Sequence, residues 1–164
     1  MIEHQQLSGA CVLLAGLAVV LSSGAAAGQS PATRCDAVLT AQEATDIVGD
    51  SYGSPAVDEP RPGFTRCEWQ APESNFGFTF ANLQALKDEE STVERAFELD
   101  VSAVESDTRK REAIEGVGVR AALVDLGDDA LLVAVQRPDG VARMVTYKVG
   151  RDTALALARA IAAP

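Results

Sequence analysis

Residues 130–150 read ALLVAVQRPDGVARMVTYKVG, and this stretch decides the fold class. Ala130 to Gln136 is a nearly continuous apolar run, as expected of a central strand buried on both faces. Arg137-Pro138-Asp139-Gly140 is a turn with a mechanism: the proline presets φ and the glycine takes the positive-φ place. Val141 to Val149 then returns as a roughly alternating strand, with Val141, Val145, Tyr147 and Val149 apolar. Gly150 ends it, and Asp152 caps a closing helix on which Leu155, Ala158, Ile161 and Ala162 share a face.

Working outward, Ala113 to Leu126 reads as mostly strand, interrupted at Gly116 and Gly118 and turned by Gly127-Asp128-Asp129. Upstream, Ser91-Thr92-Val93-Glu94 is a capping box. Behind it Val93, Ala96, Phe97, Val101 and Val104 recur at helical steps, predicting a helix over 92–105. Before that, Cys67 and Trp69 alternate with Glu68 and Gln70, and Phe76, Phe78 and Phe80 repeat the period of two. Leu83 breaks phase, which predicts a bulge or strand end near Ala81-Asn82. Residues 50–65, rich in glycine, proline, serine and charge, read as a long loop. Thr40-Ala41-Gln42-Glu43 is a further capping box and opens a helix over 40–48 that stops at Gly49. Runs of adjacent strands without strand–helix–strand alternation imply an α+β fold. The expectation is an antiparallel sheet of about five strands with three helices packed on it, in the order αββαβββα.

The N-terminus speaks to compartment. Gly9 to Leu21 is thirteen apolar residues without a charge. A spanning helix needs about 20 such residues, a signal-peptide core roughly 7–15. Ser22-Ser23-Gly24-Ala25-Ala26-Ala27 follows with an Ala-x-Ala cleavage site. The reading is a signal peptide over 1–27, a short tether over 28–34 and one domain over 35–164, with no membrane span after cleavage. An uncleaved anchor would require the apolar run to extend through Ser22 and Ser23 to Ala27. Cys11 lies inside the run with Ser8 before it, so it is not placed for lipid attachment. Processing removes only Glu3 among the acids, and with it His4, the sole histidine. The chain carries 24 acidic and 14 basic residues, a net charge of −10. Such a balance argues against nucleic acid or an anionic membrane as partner. Cys35 and Cys67 remain, and an even pair in an exported chain reads as a disulfide.

The Cys35 segment leading into Leu39-Thr40-x-x-Glu43 and Gly49, the Cys67-x-Trp69 strand, Ile114-x-Gly116-Val117-Gly118 and the Ala154–Ala163 helix together form a pattern. It resembles the small exported bacterial domains of unknown function often found on envelope lipoproteins, over most of the mature chain. The chain departs from that pattern in having no lipobox and in carrying Val119 where an acid usually follows the second glycine. The resemblance implies a disulfide-bonded α+β fold in the envelope and supplies no catalytic residues.

Without a histidine, the mature chain cannot form Ser-His-Asp or Cys-His catalytic sets or a His-ligated zinc site. It has no Gly-x-Ser-x-Gly elbow and no phosphate loop ending in Lys-Ser/Thr. Gly116-Val117-Gly118 lacks the third glycine and following helix of a dinucleotide loop, and reads as a kink in a strand. Asp128-Asp129 and Asp58-Glu59 match no calcium loop and read as solvated turn acids. Arg109-Lys110-Arg111 reads as a solvated loop. No catalytic, cofactor-binding or metal-binding residues are assigned, and no cofactor is expected. Trp69 and Tyr52 are the residues a ligand or partner could touch, although a tryptophan beside a disulfide is more often core packing. The functional expectation is a non-catalytic exported module, periplasmic or secreted, that binds a partner protein or envelope component. The alternative is a small-molecule carrier or sensor, with a pocket between sheet and helices near Trp69 and the 50–65 loop.

Overall fold

The computed structural model describes residues 31–163; the expected signal peptide and residues 28–30 of the expected tether lie outside them. The elements run α1 (Pro31–Val38), α2 (Ala41–Val48), β1 (Ala56–Arg61), β2 (Phe64–Gln70), β3 (Asn75–Asn82), α3 (Leu83–Asp88) and α4 (Val93–Ser102). They continue with β4 (Arg111–Ile114), β5 (Arg120–Gly127), β6 (Ala130–Arg137), β7 (Gly140–Tyr147) and α5 (Arg151–Ala162). All strands join one antiparallel sheet in the order β1-β2-β3-β7-β6-β5-β4. The α+β class and the antiparallel sheet are as the sequence implies.

The counts need correcting: the sheet has seven strands and five helices accompany it among the described residues, where five strands and three helices were expected. Strand β1 lies inside the expected 50–65 loop. It is an edge strand, and all but Val57 of its six residues are exposed, so burial left no alternation to read. The expected strand over 113–126 is two strands, because Gly116 at φ +71° and Gly118 at φ +59° turn the chain back on itself between β4 and β5. Helix α1 takes in Pro31 to Arg34, the end of the expected tether. Helix α3 follows β3 without a loop; Leu83 breaks the strand's phase because the strand ends at Asn82, whose side chain caps the helix by accepting from the Ala85 amide at 2.9 Å.

Local signals were realised with small shifts. Thr40 Oγ1 accepts from the Glu43 amide at 3.2 Å while Glu43 Oε2 accepts from the Thr40 amide at 2.8 Å, completing the expected box. For α4 the cap is Thr92, accepting from the Arg95 amide, one residue later than the box expected from Ser91. Helix α5 is capped by Gly150 rather than Asp152, which sits in its first turn where the helix dipole favours an acid.

Helices cover both faces of the sheet. On the first, Cys35, Leu39, Ala44, Ala154, Leu157 and Ile161 pack against Trp69, Phe76, Phe78, Val133 and Met144. On the second, Leu86, Phe97 and Val101 pack against Ala81, Ala122, Val124, Leu132, Ala134 and Val141. Strand β6 therefore contributes to both cores, Val133 and Val135 to one and Leu132 and Ala134 to the other, which explains its unbroken apolar run. Cys35 and Cys67 meet at disulfide distance, Cα atoms 5.9 Å apart, joining α1 to β2. Arg111, expected in a solvated loop, instead opens β4 and donates to Glu98 at 2.6 Å and to Glu105 at 2.6 Å; Glu98 also receives Arg120. This fixes α4 to the β4–β5 edge, and the two guanidinium partners hold the Glu98 carboxyl below its ordinary range.

Candidate functional site

Helices α3 and α4 cover only part of the second face. Over β2, β3 and β7 a grid of side chains stays open, and the strand register defines it. One row is Arg66, Thr79 and Arg143; the next is Glu68, Gly77 and Val145; the third is Gln70, Asn75 and Tyr147. Rows along a strand are about 7 Å apart and neighbouring strands about 4.8 Å apart. The centre of the grid is Gly77, which has no side chain, so the surface sinks there into a groove of about 390 Å³. The hollow is fixed: a Cβ on Gly77 would lie 2.8 Å from the Cys67 carbonyl oxygen.

The groove is polar. Arg66, Glu68, Gln70, Asn75 and Arg143 are exposed. Arg66 has the Asp58 carboxylate at 3.9 Å, while Arg143 makes no ion pair or side-chain hydrogen bond among the described residues. Asp100 on α4 feels the Arg143 charge without reaching ion-pair distance; burial raises its carboxyl above the ordinary aspartate value and Arg143 opposes the rise. A raised folded-state value means the charged form costs stability, so Asp100 favours folding most below the ordinary aspartate range and that contribution is lost as pH rises through the folded-state value. Asp100→Asn is therefore expected to raise the melting temperature relative to the parent more at pH 7 than at pH 3. A difference as large at pH 3 as at pH 7 in paired thermal melts would contradict this.

Neither residue singled out as a possible contact lies in this groove through its side chain. Trp69 is fully buried on the first face, stacked on Phe76 at 5.0 Å and 8° and near Phe78 at 5.7 Å. Tyr52 is buried beside them, edge-on to Phe76 at 5.3 Å. The structure thus brings the two together through Phe76, inside the core. The Tyr52 hydroxyl meets Ser74 Oγ, which donates to Asp50, pinning the segment after α2 onto the β2–β3 turn. Burial pushes the Tyr52 phenol above its ordinary value, Ser74 opposes and Asp50 reinforces the rise, so it stays neutral and serves as a structural hydrogen-bonding group.

A second depression lies on the first face between α1, α5 and the sheet, about 210 Å³, lined by Val38, Thr65, Cys67, Phe78, Phe80 and Ile161. Arg137 closes its rim, bonded to Asp139 at 2.8 Å and to the Ile161 carbonyl at 2.6 Å. Asp128 and Asp129 line neither depression and occupy the β5–β6 turn with φ of +53° and +60°, while Asp58 and Glu59 reach lining arginines, Arg66 at 3.9 Å and Arg34 at 2.6 Å. Among the described residues no three His, Cys, Asp or Glu side chains converge as a metal site would require. Nor is any helix among them long and apolar enough to cross a membrane.

The sequence carried half of the signal for the grid. The alternation that buries Cys67, Trp69, Phe76 and Phe78 necessarily turns Arg66, Glu68, Gln70, Asn75, Gly77 and Thr79 to the other face. What it lacked was the pairing of β3 with β7, distant in the chain, which brings Arg143 and Tyr147 alongside. Comparison of the chain with protein-family models, with curated proteins and with solved structures returns no match to any of them.

Proposed function

We propose that this chain is a non-catalytic module of the cell envelope, exported behind its N-terminal leader, that docks a partner protein or another envelope component on the open half of its second sheet face. The observation that carries the reading is the nine-residue grid. Polar and charged side chains from three strands surround a fixed backbone hollow that no helix of the described chain covers. Buried aromatic packing and a disulfide-distance cysteine pair support a rigid platform for it, and the apolar leader and the envelope-domain resemblance support the compartment. The carrier reading ranks second. It rests on the apolar cleft between α1 and α5, whose volume of about 210 Å³ falls below the roughly 300–1,000 Å³ typical of small-molecule sites.

The test is site-specific photo-crosslinking in the producing cell. A photoreactive residue at Gln70 is expected to give a light-dependent adduct of defined mass, and the same residue at Arg159, exposed on α5 over the opposite face, none. No adduct at Gln70, or the same adduct from both positions, would rule out docking on this face. The intact mass of the uncrosslinked chain from the same cells is expected to lack residues 1–27 and to be two hydrogens lighter than the dithiol form. A full-length mass would remove the export step.

A further inference from the structure

The groove has a closed end and an open end. Beyond the Arg66–Thr79–Arg143 row lies the row Phe64, Ala81 and Val141. That row packs into the second core with Leu86 of α3 and Phe97 of α4, and Ala81 and Val141 are buried. In the opposite direction Gln70 and Asn75 lead out to the β2–β3 turn, where Pro72 and Glu73 are exposed. A linear ligand lying along the strands therefore enters past Gln70 and Asn75 and has to finish at the two guanidinium groups. Among the described residues Arg143 has no ion-pair partner, and that of Arg66 stands at 3.9 Å. Arginine presents a planar fork matched to a carboxylate, and two of them flank the Thr79 hydroxyl in a single row.

Resting on the docking reading above, we propose that the groove receives the free C-terminal end of a peptide, its carboxylate held between Arg66 and Arg143 beside Thr79. The dimensions set the rest of the recognition. Three rows span about 14 Å, the length of roughly four extended residues. The last side chain would rest over Gly77 against Val145, where only a small apolar group fits, and Glu68 is placed to accept a peptide N–H. Gln70 and Asn75 offer paired amide donors and acceptors to the backbone further out, and the exposed ring of Tyr147 offers an apolar wall.

Two-dimensional NMR of the labelled protein tests this with three probes: N-acetyl-tetra-alanine, its C-terminal amide, and an N-acetylated, C-amidated Ala-Ala-Glu-Ala. The free acid is expected to shift the Gly77 and Thr79 amides and the Arg66 and Arg143 Nε–H signals. The amide, and the peptide acidic only in its side chain, should bind about tenfold or more weakly, as loss of a charge-assisted pair implies. Arg143→Gln and Arg66→Gln, both at exposed positions, should each bring binding of the free acid down to that of the amide while the remaining spectrum stays folded. Equal binding of acid and amide, equal binding of the side-chain acid, or no shift in the groove at millimolar peptide would each overturn the proposal. If the Gln70 crosslink persists in that case, the groove docks something other than a chain end; if the crosslink is also absent, the docking reading falls with it.

Discussion

Trp69→Ala is expected to cost about 3–5 kcal/mol of folding stability, the range for removing a fully buried large aromatic side chain. A domain of this size has roughly 5–15 kcal/mol in total, so the variant should sit near the edge of folding. Trp69 stacks on both Phe76 and Phe78, and Phe76 meets Tyr52 in a T-shaped contact, so the loss of Trp69 opens a cavity among buried aromatic rings. Urea unfolding followed by far-ultraviolet circular dichroism measures the loss, and a change under about 1 kcal/mol would contradict the packing argument. Trp69→Phe provides an internal comparison. The indole Nε1 is buried without a hydrogen-bond partner among the described residues. Replacement by phenylalanine removes volume but also removes that unpaired donor, so the expected cost is smaller, about 1–2 kcal/mol.

The second large effect belongs to the cysteines. Cys35 and Cys67 are 32 residues apart in sequence, and closing such a loop stabilises a fold by about 3–4 kcal/mol in the chain-entropy account. The loss in Cys35→Ala/Cys67→Ala should not be spread evenly. Helix α1 has eight residues, while isolated helices shorter than about 12–15 residues are marginal in water, so its order depends on its attachments. Hydrogen exchange in the double variant is expected to show α1 and β1 losing protection while β3, β6 and β7 keep theirs. Unchanged protection in α1 would show that packing at Cys35 and Leu39, both fully buried, suffices without the covalent link.

The parts of the fold legible in the sequence were those where a single local cause acts. The Thr40–Glu43 box, the alternation through Trp69 and Phe78, the unbroken run in β6 and the apolar stripe of α5 each leave a pattern within a dozen residues. The missed parts have other causes. Strand β1 is held by pairing to β2 and buries almost nothing itself, so neither composition nor period marks it. Helix α3, at six residues, is too short to establish a helical period and shows itself only as the phase break at Leu83. The glycines at 116 and 118 look like a kink in the sequence because a kink and a reversal draw on the same positive-φ residues. The candidate groove depends on β3 meeting β7, a pairing between segments some 65 residues apart, and no local pattern encodes which distant strand a given strand will choose.

The two borders of the sheet bear on how the molecule behaves in company. At one border β1 carries Asp58, Glu59, Pro60 and Arg61 on an exposed backbone, and its register slips between Asp58 and Arg61. At the other, β4 offers only four residues, two of them charged. A neighbouring chain trying to extend the ladder would meet a proline without an N–H and a bulged, charged row on one side, and too little length on the other. Growth of the sheet from copy to copy, the route to ribbons and fibres, is disfavoured at both ends. Encounters at high local concentration are therefore steered away from strand addition and towards the flat faces, where specificity rests on side chains rather than on the generic hydrogen bonding of the backbone.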